Sequence, residues 1–178
     1  MMLGQMLHVH GVLEPILRAK AKEGGALSAL VRDQYLHLDA LIADMEFLGV
    51  GAELLKPVPA TRRFGEMVAQ HGMQASAWGL LGIFYVLEGS TNGGTIIAKR
   101  LREAHGWEDE RGTAFINPHG NQVRMVWKQW KTALDALVID EASQERIIDA
   151  ACETFTMMMG VLTDLHGEMQ REQAEAQA

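Results

Sequence analysis

The 178-residue sequence lacks the features that mark several common protein classes. It has one cysteine, Cys152, which excludes an internal disulfide and a cysteine-rich metal site. No segment approaches the ~18 uninterrupted apolar residues of a membrane helix. No basic leader followed by an apolar run opens the chain, so no signal peptide is indicated. We therefore expect a protein of the reducing cytoplasm that does not span a membrane.

Positive charge and nucleotide-binding motifs are also scarce. The net charge of −7 argues against a nucleic-acid partner, because such proteins need a basic face. Neither a G-x-G-x-x-G sequence nor a Walker loop is present, so nucleotide chemistry has no support. No Glu-x-x-His pair occurs, which disfavours a di-iron centre in a helical bundle.

Almost every apolar pattern in the sequence has helical spacing. We predict one all-α domain over residues 1–170, followed by a polar tail at 171–178. A last helix should begin after "IDEAS", where Asp140 or Ser143 would provide the N-terminal cap. The other predicted helices cover residues 3–23, 27–48 (ending at "GVG", residues 49–51), 60–71, 74–104 and 123–137.

The stretch "YVLEGSTNGGTIIAKRL" (residues 85–101) places Gly89, Gly93 and Gly94 inside a predicted helix. Each glycine costs about 1 kcal/mol relative to alanine in a helix interior. Gly89 and Gly93 are four residues apart and so share a face, which Gly94 widens. The bare backbone suits tight helix packing, a simple kink, or a flat ligand lying against the helix. We expect Glu88 to lie at the helix surface. We expect His105 and His119 to lie in solvated loops.

The segment "YVLEGSTNGG" resembles the motif Y-x-x-x-G-S-x-x-G-G in the distal helix of bacterial heme oxygenases. The similarity continues through "TIIAKRL". Upstream, "LDALIADMEFLGV" resembles the short helix that precedes the distal helix in this family. Downstream, "AFINPHGNQVRMVWKQWKTAL" resembles the family's Phe-x-x-x-x-Gly segment, which leads into a helix containing tryptophan. The resemblance covers about residues 36–165.

This resemblance implies a heme oxygenase-like helical bundle that holds heme between a proximal helix and a glycine-kinked distal helix. The implied reaction oxidises heme to biliverdin, carbon monoxide and ferrous iron, using O2 and an external electron donor. Relatives of this kind supply biliverdin to phytochromes or release iron. The residues implied to form the catalytic distal surface are Gly89, Ser90, Gly93 and Gly94, and the three glycines would contact heme.

Basic side chains near the rim would bind the two heme propionates through charge-assisted hydrogen bonds. Lys99 and Arg124 are the candidates for this role. For each of them individually, an ordinary solvated surface charge is the simpler interpretation.

The proximal iron ligand of the family lies near the N-terminus in an H-x-x-x-E pattern, which "HGVLE" (residues 10–14) matches. His10 is therefore the candidate iron ligand, and Glu14 should share its helix face. A second alignment places "HVHGVLEPIL" on the family's second helix. In that case the proximal helix has no counterpart, and His10 is not the ligand. The other candidates for the ligand are His8, His37 and His71. The alternative function is then a non-enzymatic heme- or bilin-binding protein, with a homodimer as a possible state.

Overall fold

The computed structural model describes residues 1–50 and 56–177, and α-helices make up most of this part of the chain. No β-strand occurs within these two ranges, which confirms the predicted all-α fold. Short 3-10 turns cover Asp33–Tyr35 and Gly120–Gln122. The α-helices are α1 (Met2–Lys22), α2 (Ala26–Leu30), α3 (Leu38–Phe47), α4 (Pro59–Met73), α5 (Trp78–His105), α6 (Val123–Asp135) and α7 (Glu141–Ala176).

The prediction of one continuous helix over residues 27–48 is wrong. The chain forms α2, the 3-10 turn and α3 in its place, with extended backbone at Val31 and Arg32. Glu14 accepts the backbone N–H groups of His37 and Leu38, so a side chain of α1 caps the start of α3. Gly49, with φ of 66°, follows the end of α3. Gly51, part of the predicted stop, lies outside the described residues.

The core lies where α5 packs along α7, while α4 contacts both α1 and α7. Gly82 permits the close approach of α5 to α7, because a Cβ atom there would lie 2.3 Å from the Ile147 carbonyl oxygen. Full burial of one large apolar side chain contributes about 1.5–3 kcal/mol. The side chains with under 2% exposure include Leu13, Leu17, Leu41, Phe64, Leu80, Leu81, Ile83 and Trp130.

The N-terminus of α7 has the predicted cap. Asp140 accepts hydrogen bonds from the Ser143 backbone N–H at 3.0 Å and from its hydroxyl at 2.8 Å. These bonds hold the pKa of Asp140 below its ordinary value of 3.8. The helix continues to Ala176, so residues 171–176 of the predicted polar tail are helical and exposed. Among the helices in the described ranges, none is long and apolar enough to cross a membrane.

Candidate functional site

A largely apolar cavity of about 690 Å3 lies between the first turns of α1, one face of α5 and the segment 107–116. Its volume lies within the range of about 300–1,000 Å3 typical of small-molecule and cofactor sites. The α5 residues that line it recur every three or four positions and therefore share one helix face. They are Leu87, Ser90, Thr91, Gly94, Ile97, Leu101 and His105, and α1 contributes Met2, Leu3, Gly4, Met6 and His10.

Gly89, Gly93 and Gly94 of α5 face different surroundings. A Cβ atom at Gly94 would lie 1.7 Å from the carbonyl oxygen of Ile116, so the segment before α6 lies directly on this backbone. A Cβ atom at Gly89 would lie 3.3 Å from the Trp127 ring, whereas one at Gly93 would meet nothing within 4 Å. Gly94 and Ser90 line the cavity, but Gly89 and Gly93 do not. The glycines therefore do not form one continuous strip.

Three consecutive polar side chains follow Gly89 and hydrogen-bond back to the helix. Ser90 Oγ donates to the Leu87 carbonyl at 2.6 Å, and Thr91 Oγ1 donates to the Glu88 carbonyl at 2.7 Å. Asn92 Nδ2 donates to the Gly89 carbonyl at 2.9 Å. Bonds of this kind compete with the helical ladder and favour bending. The Ser90 hydroxyl keeps its acceptor lone pairs, which remain available at the cavity.

His10 is buried and held by a carboxylate. Its Nδ1 lies 2.9 Å from Glu14 Oε1, and its ring meets the Phe115 ring edge-to-face at 5.1 Å. Within the described part of the chain, no group hydrogen-bonds to its Nε2 atom. A histidine that ligates a metal almost always donates its other ring N–H to a carboxylate, a carbonyl or water. The geometry of His10 therefore suits a ligand that binds through Nε2 into the cavity.

Glu14 holds the His10 ring in position. Its Oε1 atom accepts hydrogen bonds from His10 Nδ1 and from the backbone N–H groups of His37 at 2.7 Å and Leu38 at 2.9 Å. One buried carboxylate oxygen thus links the candidate ligand on α1 to the start of α3. The i,i+4 pairing of His10 and Glu14 is the one that the sequence predicts.

A second buried cluster was missed by the sequence analysis. Glu88 is 1% exposed, with Oε2 at 2.8 Å from His37 Nε2 and Oε1 at 2.7 Å from His119 Nε2. The predictions of a surface Glu88 and a solvated His119 are therefore wrong, whereas His105 is exposed as predicted. Burial raises the pKa of Glu88, but the hydrogen bonds with His119 and His37 outweigh it, so the pKa lies below 4.5. Glu88 follows the buried Phe84 at i+4, a spacing that places it on the inner face.

The basic candidates and the competing histidines lie away from the cavity wall, with one exception. Lys99 and Arg124 are exposed, and Lys99 forms an ion pair with Glu103 at 3.8 Å. His8 and His71 do not line the cavity, whereas His37 does, with its Nε2 directed at Glu88. His10 is therefore the histidine of this set that combines a cavity position with an unoccupied Nε2 atom.

Comparisons with known proteins agree with this architecture. Residues 1–164 match the family model described as heme oxygenase. A stretch of 82 residues is 33% identical to heme oxygenase 1 of a Nostoc species, covering 46% of this chain. That stretch spans only about a third (34%) of the relative's length.

Solved structures give the same result. Heme oxygenase-1 of the cyanobacterium Synechocystis, in complex with heme, superposes with a TM-score of 0.83 at 25% identity, covering 98% of this chain and 79% of that one. Heme oxygenase from Leptospira interrogans superposes with a TM-score of 0.78 at 21% identity, over 89% and 78% of the two chains, which supports the fold alone. The protein described here belongs to the heme oxygenase family.

Proposed function

We propose that this protein binds heme in the cavity between α1 and α5 and oxidises it to biliverdin, carbon monoxide and ferrous iron. The observation that carries the proposal is the cavity itself, where apolar walls surround a buried histidine with an unoccupied Nε2 atom. The solved relative with heme in its structure has the same fold over nearly the whole of this chain.

The residues present fit heme. A porphyrin is a large, flat and mostly apolar ligand, and the cavity has the volume and the apolar lining for such a group. Ile97 lines the cavity with 52% of its surface exposed, so a ligand there would cover apolar area that now faces solvent. Heme, when bound, supplies the redox-active iron and is itself the molecule that is oxidised.

The side chains have separable roles in this proposal. His10 would hold the iron through Nε2, while Glu14 keeps the proton on Nδ1 and fixes the ring. Gly94 and Ile116 would both contact the ligand, and the lack of a Cβ atom at Gly94 lets Ile116 pack against α5 beside it. Ser90, whose proton is committed to the Leu87 carbonyl, would accept a hydrogen bond from water and keep a proton source at the cavity.

Other components complete the proposed reaction. Electrons would come from a separate protein or a small reductant, since the sequence has no flavin or iron–sulfur motif. Lys99, which is exposed and pairs with Glu103, is one candidate to bind a heme propionate. Arg124, also exposed, is the second candidate. The biliverdin would supply a phytochrome, or the reaction would serve to release iron from heme.

Replacing His10 with alanine tests the ligand assignment. In a hemin titration of wild type we expect a shifted Soret band that saturates at one heme per chain. His10→Ala should weaken binding by more than about tenfold and shift the band, because the nitrogen that would hold the iron is lost. Added imidazole should restore the wild-type spectrum. His166→Ala, which removes an exposed histidine outside the cavity, should leave the titration unchanged.

The result also separates the candidate functions. A spectrum of His10→Ala identical to that of wild type would remove His10 as the ligand. A shifted Soret band that is stable to reductant and O2 would favour the non-enzymatic heme- or bilin-binding protein.

We further propose that a second copy of the chain covers the exposed face of α7. The side chains on this face are spaced seven, four, three and seven residues apart, as in the seam of a coiled coil, and a seam on one helix is self-complementary about a two-fold axis. They are Ile148, Phe155, Met159, Leu162 and Met169. Sedimentation equilibrium should show a dimer that Phe155→Glu dissociates and that Thr156→Glu, beside the seam, preserves. A wild-type monomer at high concentration would contradict the proposal.

A further inference from the structure

The cluster of His37, Glu88 and His119 has the composition and geometry of a metal site. The three side chains come from the start of α3, the middle of α5 and the segment before α6, and each offers one ligand atom within 4.8 Å of the others. The Nε2 atoms lie 2.8 Å and 2.7 Å from the two oxygens of Glu88. Around one ion, with metal–ligand bonds of about 2.0–2.2 Å, neighbouring ligand atoms lie roughly 2.9–3.4 Å apart. The two Nε2–oxygen distances are close to this spacing, and the rings would shift to bring both Nε2 atoms onto one ion.

The charge of the cluster favours a cation. Glu88 is almost fully buried, and His37 and His119 each make one hydrogen bond with its carboxylate. A buried carboxylate is costly unless it is paired with a cation or coordinates a metal. A divalent ion could bind the Nε2 lone pairs of both histidines and one carboxylate oxygen. It would take the place of the two protons in the hydrogen bonds and offset the negative charge of Glu88.

We propose that His37, Glu88 and His119 bind one first-row divalent transition-metal ion at a site separate from the heme iron. Two histidines with one carboxylate form the ligand set of non-heme ferrous centres and of many zinc centres. The remaining coordination positions would hold water.

The surroundings support the rings and provide access. Glu14 holds the backbone of His37, and the Tyr35 ring lies 6.2 Å from the His119 ring in an edge-on contact. A void of about 10 Å3, close to the volume that one water needs, is lined by Glu14, His37 and Glu88 among others. His37 also lines the large cavity, so an ion could enter from that side.

A cobalt titration of the heme-free, chelator-treated protein tests the site. We expect visible absorption bands of Co2+ with nitrogen and oxygen ligands that saturate at one equivalent per chain, and displacement by Zn2+. His119→Gln and Glu88→Gln should each weaken binding by about 100-fold or more, because loss of even an outer-shell partner costs 10–100-fold. His166→Gln and Glu145→Gln remove exposed groups of the same chemistry and should bind as wild type does.

Thermal unfolding gives an independent readout, since an ion that binds only the folded state raises Tm. Zn2+ should raise the Tm of wild type and of His166→Gln, but not that of His119→Gln. If His119→Gln fails to fold, the wild-type titration decides alone. Absence of saturable Co2+ binding by wild type, or equal binding by wild type and folded cluster variants, would overturn the proposal. Hemin titration of the same variants separates this site from the heme cavity.

Discussion

Gly94→Ala is expected to destabilise the protein by roughly 2 kcal/mol or more. The added Cβ atom would lie 1.7 Å from the Ile116 carbonyl oxygen and 2.8 Å from its carbon, and a backbone group cannot rotate away as a side chain does. Overpacking typically costs about 1–3 kcal/mol and occasionally more, which exceeds the ~1 kcal/mol gained from helix propensity. The segment before α6 must then move off α5. Hemin affinity should fall as well, because Gly94 and Ile116 both line the cavity.

Gly93→Ala is the matched control one residue away. A Cβ atom at this position meets nothing within 4 Å, so only helix propensity changes. We expect this variant to be up to about 1 kcal/mol more stable than wild type. Urea unfolding midpoints of the two variants measure the difference. A neutral Gly94→Ala, or shifts of the same sign in both variants, would contradict the contact between Gly94 and Ile116.

Glu14→Ala is expected to cost about 3 kcal/mol or more of folding stability. The substitution leaves the backbone N–H groups of His37 and Leu38 without their acceptor at the start of α3, and each buried unsatisfied group costs about 1–3 kcal/mol. It also removes the partner of His10 Nδ1. Glu14→Gln should cost less, because its side-chain oxygen still accepts hydrogen bonds. Glu145→Ala, at an exposed position of α7, should be nearly neutral.

Heme binding provides a second readout for Glu14. Without its carboxylate partner the His10 ring is free to rotate, so hemin affinity of Glu14→Gln should fall by about tenfold or more even where the fold is retained. Circular dichroism and the Soret titration on the same samples separate these effects. A Glu14→Ala variant as stable as wild type would show that α3 begins without this cap.

Local sequence patterns predicted most of the helices, because their bounds depend on nearby residues. Gly24 and Gly25 follow α1, and Asp140 caps α7 from three residues away. The error at residues 27–48 has a non-local cause. The group that starts α3 is Glu14, more than twenty residues earlier and on another helix. Hydrophobic periodicity continued through the break because α2 buries Leu27 and Leu30 while α3 buries Leu41 and Met45.

The residues of the candidate site also divide into those that the sequence could predict and those that only the fold brings together. The His10–Glu14 pair lies on one helix at i,i+4, so its contact follows from spacing once the family resemblance has pointed to His10. The cluster around Glu88 was not, because its histidines are 51 and 31 residues away along the chain. Gly89, Gly93 and Gly94 were recognised by composition, but their contacts depend on what packs against each one. Ile116 and Trp127 lie beyond the end of the helix in sequence, so only the fold assigns Gly94 and Gly89 to different contacts.

The central claim is that this cavity holds heme and that the bound heme is oxidised. The most direct measurement adds one equivalent of hemin to the wild-type protein and then supplies ascorbate in the presence of O2, with absorption and released carbon monoxide recorded together. We expect the Soret band to decay while biliverdin absorption rises, with one carbon monoxide released per heme. Absence of a Soret shift on adding hemin, or a shifted band that persists without carbon monoxide, would contradict the claim.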